Sequence, residues 1–174
     1  SFVDGGIASE TFFNLNIGDT LNSSGPFGRL ILRPDETPRQ YVLVATGTGV
    51  APYRAMLPEI RKRLQDDADL QVHLLLGVQY RQDLLYGDEF IAFAEEHPRF
   101  HFHALLSRDE LNDQKSYEHK GYVQSHFTTL DLDPDEDLVY LCGNPNMIDD
   151  AFAYLGDEGF SPKSVRREKY ISSN

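Results

Sequence analysis

The stretch Val44-Ala45-Thr46-Gly47-Thr48-Gly49-Val50-Ala51-Pro52-Tyr53-Arg54 leaves an apolar run, turns through two glycines and enters a segment of helical spacing. Upstream, residues 41–45 read as a strand. Downstream, Ala51, Ala55, Leu57, Ile60 and Leu64 predict a helix over 51–64. The same alternation continues to the C-terminus. Residues 70–78 are apolar at nearly every position, as a parallel strand covered on both faces must be. Residues 88–96 then read as a helix, 100–106 as a strand, 122–130 as a helix and 138–142 as a strand. A last helix over 145–155 has Gly156 and Gly159 at its exit. This order predicts an α/β fold: a parallel five-stranded sheet with helices on both faces.

In such a sheet, ligands sit beyond the carboxyl ends of the strands. At 46–49, two glycines would let backbone approach a phosphate, and the helix that follows offers unpaired N–H groups. Pro52 suits a first helical turn, where its missing N–H costs nothing. Pro52 also stands where the third glycine of the common dinucleotide fingerprint would be, and no Gly-Lys-Ser/Thr of a P-loop occurs. From these residues alone, a tight turn capping a helix and a phosphate or dinucleotide site both remain open.

Composition narrows the classes. In 174 residues, 28 acidic and 16 basic side chains leave a charge of −12, which argues against nucleic-acid or anionic-membrane binding. One cysteine excludes an internal disulfide or an iron–sulfur cluster held by this chain alone. No long apolar run predicts a membrane span, and the expected location is cytoplasmic. Among six histidines, His101 and His103 share a strand face with no carboxylate or cysteine at ligand spacing, so no metal is expected. The acidic run at 131–137 lacks the glycine and terminal glutamate of a calcium loop and reads as a solvated turn. Residues 1–34 carry glycine turns around short apolar pieces, Phe12-Phe13-Asn14-Leu15 and Arg29-Leu30-Ile31-Leu32, which read as strands.

Taken together in order, these motifs resemble the ferredoxin–NADP(+) reductase family. Thr46 to Arg54 resembles its pyrophosphate turn, and Leu76-Gly77-Val78, Leu84-Leu85-Tyr86 and Glu89-Phe90 resemble its second strand and following helix. Ser107-Arg108-Asp109-Glu110 and Lys120-Gly121-Tyr122-Val123-Gln124 resemble the segments that hold an adenosine 2′-phosphate. Leu141-Cys142-Gly143-Asn144-Pro145-Asn146-Met147 resembles the nicotinamide-end signature. Gly6-Ile7-Ala8-Ser9, Gly18-Asp19 and Gly25-Pro26-Phe27-Gly28 look like the end of a FAD-binding barrel.

The resemblance implies residues 1–36 as the remnant of an antiparallel FAD-binding β-barrel and 37–174 as an NADP-binding α/β domain. It implies FAD and NADP as cofactors and hydride transfer between them, with ferredoxin or flavodoxin as electron-transfer partner. Thr46, Gly47, Thr48, Gly49 and Pro52 would line the pyrophosphate and ribose, with Cys142 beside the nicotinamide and Gly143, Asn144 and Met147 around it. Ser107, Arg108, Lys120 and Tyr122 would hold the 2′-phosphate end, and Arg81 is a further candidate cation there. Gly6 and Ser9 would serve the flavin side, with Glu168 for proton handling and Tyr170 for stacking. Basic residues Arg61, Lys62, Arg63, Lys163, Arg166, Arg167 and Lys169 are candidates for partner docking. The alternatives are an NAD(P)H–flavin reductase, the reductase component of an oxygenase, or a non-catalytic nucleotide-binding electron-transfer subunit.

Overall fold

A computed structural model of the chain describes residues 4–25 and 28–170. Pro26 and Phe27 of the Gly25-Pro26-Phe27-Gly28 stretch and the tail residues 171–174 lie outside the described residues. The elements are α1 (Ile7–Phe13), β1 (Gln40–Thr46), α2 (Ala51–Asp66), β2 (Gln71–Val78), α3 (Gly87–Glu96), β3 (Phe100–Leu106), β4 (Glu118–Lys120), α4 (Val123–His126), β5 (Leu138–Gly143), α5 (Pro145–Asp157) and β6 (Val165–Lys169). The sheet runs β4-β3-β2-β1-β5-β6, with every neighbouring pair parallel.

β1 is the spine of two cores. Tyr41, Leu43 and Ala45 face one side with Tyr53, Met56 and Ile60 of α2 and Phe90 and Phe93 of α3. Val42 and Val44 face the other with Val123 of α4 and Ile148, Ala151 and Leu155 of α5. Each fully buried aliphatic or aromatic side chain contributes about 1.5–3 kcal/mol, so a strand apolar on both faces is pinned in the centre.

The sheet has six strands where five were expected, four of them placed by residue range. The short β4 and the charged β6 are edge strands, each with a neighbour on one side only, and neither needs an apolar pattern. The strands expected over 12–15 and 29–32 are absent. Phe12 and Phe13 close α1, and the second segment is irregular, with Leu32 buried and the Ile31 carbonyl accepting from the Tyr140 hydroxyl at 3.1 Å. A strand exists only with ladder partners, and among the described residues these segments have none.

The acidic run is not uniformly solvated. Asp137 is buried; its carboxylate accepts from Arg39 Nε and Nη2 at 3.0 and 2.8 Å, from Gln40 Nε2 at 2.6 Å and from the Asp133 N–H at 2.7 Å. It joins the entry of β1 to the loop before β5. Asp137→Ala strands these donors, but Arg39 is partly exposed and can rehydrate. The expected loss is about 2 kcal/mol, below the usual figure for a broken buried pair. It should appear as a lowered urea midpoint with an unchanged slope.

Candidate functional site

The strand order reverses at β1, with β2 on one side and β5 on the other. A cleft of about 510 Å³ opens near the carboxyl ends of the strands. It is lined by Thr46 and Gly47 after β1, Gly77 and Val78 of β2, Ser107 and Arg108 after β3, Tyr122 and Gln124 around α4, and Asn144, Met147 and Asp150 around α5. Residues far apart in sequence thus meet at one end of the sheet.

Two of the glycines act on each other's loops. After β1 the chain makes one 3₁₀ turn, Gly47–Val50, with Gly47 in the left-handed region at φ +51°. A Cβ on Gly49 would lie 2.3 Å from the Cys142 carbonyl oxygen. Gly143 has φ +125°, and a Cβ there would lie 2.6 Å from Thr46 Oγ1. That Thr46 oxygen accepts from the Asn144 N–H at 2.9 Å. Asn144 in turn caps α5: its side chain accepts from the N–H groups of Asn146 and Met147. Pro52 sits in the first turn of α2, as expected. Thr48, Gly49 and Pro52 support the turn from outside the cleft lining.

At the β3 end, Arg108 is exposed, and among the described residues its guanidinium has neither a hydrogen bond nor an ion pair. Among the described residues it is also the one Lys or Arg that lines the cleft. Ser107 beside it donates to the Val78 carbonyl at 3.3 Å. The Tyr122 ring is 71% exposed, open to stacking. Gln124 lines the same wall, and among the described residues its buried Oε1 has no hydrogen-bond partner. A buried acceptor without a donor costs free energy that a ligand N–H would recover.

The other expected cations are not brought to the cleft. Arg81 is bound by the fully buried Glu118 carboxylate through Nε and, at 2.7 Å, through Nη2. Its hydrogen bonds hold Glu118 below the usual carboxylate range. Lys120 donates to the Asp109 carbonyl and likewise lies outside the lining. A buried carboxylate takes Arg81 and a backbone carbonyl takes Lys120, partners that only folding brings to them.

Cys142 is fully buried at the end of β5 rather than exposed in the cleft. Burial pushes its thiol up to about 11, opposed by a hydrogen bond with Tyr170, so it stays protonated at neutral pH. The Tyr170 N–H donates to the Gly143 carbonyl at 2.9 Å, and its side chain hydrogen-bonds with the Cys142 thiol at this strand end. Glu168 pairs in register with Cys142 and is exposed. Gly6 and Ser9 fall at α1, none of whose residues is buried, and they do not line the cleft. Asp83 and Asp150 of the lining were not expected, and no sequence motif marks either; Asn146 falls within the nicotinamide-end signature but was not singled out.

Comparison with known proteins adds four findings. The family model described as an oxidoreductase NAD-binding domain matches residues 43–152. The chain is 33% identical over 170 residues to the electron transfer component of toluate 1,2-dioxygenase from Pseudomonas putida, covering 97% of this chain and 48% of that one. It is 34% identical over 176 residues to ferredoxin–NADP reductase B from Sorangium cellulosum, covering 97% and 69%. Among solved structures, a cytochrome P450 reductase from Amycolatopsis superposes with a TM-score of 0.81 at 29% identity, over 99% of this chain and 51% of that one. The chain spans about half the length of the curated relatives it matches.

Proposed function

This chain belongs to the ferredoxin–NADP(+) reductase family, and from that premise we propose that it is the NADP-binding half of a FAD-dependent oxidoreductase. The observation that carries the reading is the unpaired Arg108 guanidinium beside Ser107 in the cleft at the strand ends. A 2′-phosphate is what distinguishes NADP from NAD, and a guanidinium meets it with forked hydrogen bonds. Tyr122 would stack on the adenine, and Gln124 Oε1 would accept from a ligand N–H. Thr46, Gly47 and the α5 entry at Asn144 would lie along the remainder of the dinucleotide.

In this reading a bound FAD would supply the acceptor for a hydride from the NADPH nicotinamide ring and would pass the electrons one at a time to ferredoxin or flavodoxin. Residues 1–36 belong to the flavin-binding barrel and 37–174 to the nucleotide domain. Ile7, Phe12, Phe13 and Ile17 are highly exposed, as apolar side chains of such a partial domain would be. Gly6 and Ser9 would then serve the flavin, and Glu168 would handle a proton near it.

The oxygenase-reductase alternative has its own support. Besides the toluate dioxygenase and P450 reductase similarities, most of the cations expected to dock a ferredoxin are taken. Arg61 pairs with Glu96, Arg63 with Glu59, Arg166 with Glu36 and Lys169 with Asp149. Among the described residues no helix is long and apolar enough to cross a membrane.

The test is to express the complete gene product, verify bound flavin and compare its reduction by NADPH and NADH in a stopped-flow instrument. Preferential reduction by NADPH supports the reading; a protein that binds neither flavin nor nucleotide overturns it. The same instrument tests Cys142. For the nicotinamide to touch this thiol, the Tyr170 side chain hydrogen-bonded to it must move. Cys142→Ala should slow flavin reduction roughly tenfold, about 1.4 kcal/mol of barrier, with little change in nucleotide affinity. An unchanged rate assigns Cys142 to core packing alone.

A further inference from the structure

Five of the six histidines gather on one face of the sheet, although they come from four elements. His73 lies on β2, His101 and His103 on β3, His119 on β4 and His126 at the end of α4. The sequence expectation was of ordinary strand positions without a metal, because no further ligand follows His103 at local spacing. The fold supplies the missing partners through space.

His103 is the hub. Its Nδ1 lies 3.1 Å from His126 Nε2 and 3.3 Å from His119 Nε2, and ligand nitrogens of the three rings all lie within 4.8 Å of one another. Hydrogen bonding alone does not satisfy that arrangement. A ring nitrogen carries either one hydrogen or one in-plane lone pair, so His103 Nδ1 can serve one neighbour well and not two. A cation between the rings accepts all three lone pairs at once. With metal–nitrogen bonds of about 2.0–2.1 Å, tetrahedral ligands stand about 3.3–3.4 Å apart, close to the two spacings found here.

The far side of His103 is also built for this. Its Nε2 lies 3.1 Å from His73 Nδ1, so a hydrogen on Nε2 donates to His73 and leaves Nδ1 bare toward His119 and His126. Holding the tautomer of a ligating imidazole through its other nitrogen is the usual outer support of a metal site. His73 is itself held, stacked on His101 at 4.6 Å between ring centroids, and His101 Nε2 meets Gln71 Oε1 at 3.0 Å.

We propose that His103, His119 and His126 form a site for a divalent transition-metal ion, Zn²⁺ or a similar imidazole-seeking cation, with a fourth position left for water. Three neutral nitrogens without a carboxylate disfavour magnesium and calcium, which take oxygen ligands. Burial, with the neighbouring imidazoles adding to it, holds His103 down to about 3 and His126 to about 4. Burial lowers His119 as well. The rings are therefore neutral and ready to bind at neutral pH. The site would fasten β4 and α4 to β3. Between His119 and His126 lies Gly121-Tyr122, part of the cleft wall, so the ion would clamp both ends of a nucleotide-facing segment.

The experiment uses tag-free protein stripped with a chelator and titrated with Zn²⁺ by calorimetry. One ion per chain is expected. With zinc about a hundredfold above Kd, the melting midpoint should rise by about 5–10 °C. His119→Gln, at a partly exposed position, should weaken binding by at least about 100-fold. His73→Phe, which removes the support but no ligand, should weaken it by about 10–100-fold. X-ray absorption on zinc-loaded wild-type protein should show three imidazole nitrogens around the ion, a result that does not depend on any variant folding. Absence of a stoichiometric site, undiminished binding by folded His119→Gln, or a zinc shell without imidazole overturns the proposal.

Discussion

Gly49→Ala is expected to destabilise the protein by about 3 kcal/mol or more, at the upper end of what overpacking costs. The added methyl would stand 2.3 Å from the Cys142 carbonyl oxygen and 2.7 Å from Gly143 Cα. Both are backbone, so no side-chain rotation relieves the contact. The turn after β1 would have to move off the end of β5, taking with it the Thr46 oxygen that holds the Asn144 N–H. For a chain of this size, that cost lowers the melting midpoint by about 6–12 °C. Nucleotide affinity should fall too, because Thr46, Gly47 and Asn144 all line the cleft. Gly156→Ala is the matched control. It lies in α5 with nothing within 4 Å of the added Cβ, and should be neutral or stabilising by up to about 1 kcal/mol. If Gly49→Ala melted like Gly156→Ala, the interlock of the two loops would be wrong.

This substitution also shows what a motif conveys and what it hides. The run Thr46-Gly47-Thr48-Gly49 was legible as a strand-to-helix turn, and the long strands β1, β2, β3 and β5 were legible as runs rich in apolar residues, with His73, His101 and His103 interrupting one face of β2 and β3. Which requirement each glycine meets was not. Gly49 and Gly143 are glycines because the loops of β1 and β5 press together, a contact spanning almost a hundred residues. β4 and β6 escaped for a related reason: an edge strand such as Glu118–Lys120 is defined by backbone pairing with β3, and its side chains carry no period. Charge behaved in the same way. Arg81, Arg108 and Lys120 are equivalent in sequence, but the partners that take Arg81 and Lys120 lie 37 and 11 residues away. Asp137 is one acid among five in its run, and folding buries it against Arg39 and Gln40. Local pattern gave the layers and the motifs. Pairing across the sheet decided which polar groups stay free for a ligand.

Arg108 is where that distinction has its largest functional consequence. A hydrogen bond to a charged group contributes about 1.5–3 kcal/mol, so Arg108→Ala in the complete protein should reduce the efficiency of NADPH roughly 10- to 150-fold. NADH lacks the 2′-phosphate and should lose little. Because Arg108 is exposed, salt screens the interaction, and the larger value belongs to low ionic strength. The loss should appear mainly in KM or Kd, since the phosphate takes no part in hydride transfer. Arg81→Ala separates this from a general effect of removing positive charge. It removes the partner of the buried Glu118 carboxylate and should lower stability, most visibly above the ordinary glutamate pKa, where that carboxylate is ionised. In the folded fraction, the NADPH-to-NADH preference should be retained. Equal losses for both nucleotides in Arg108→Ala would remove the 2′-phosphate from this end of the cleft. A preference that collapsed in Arg81→Ala instead would move it to the neighbouring loop.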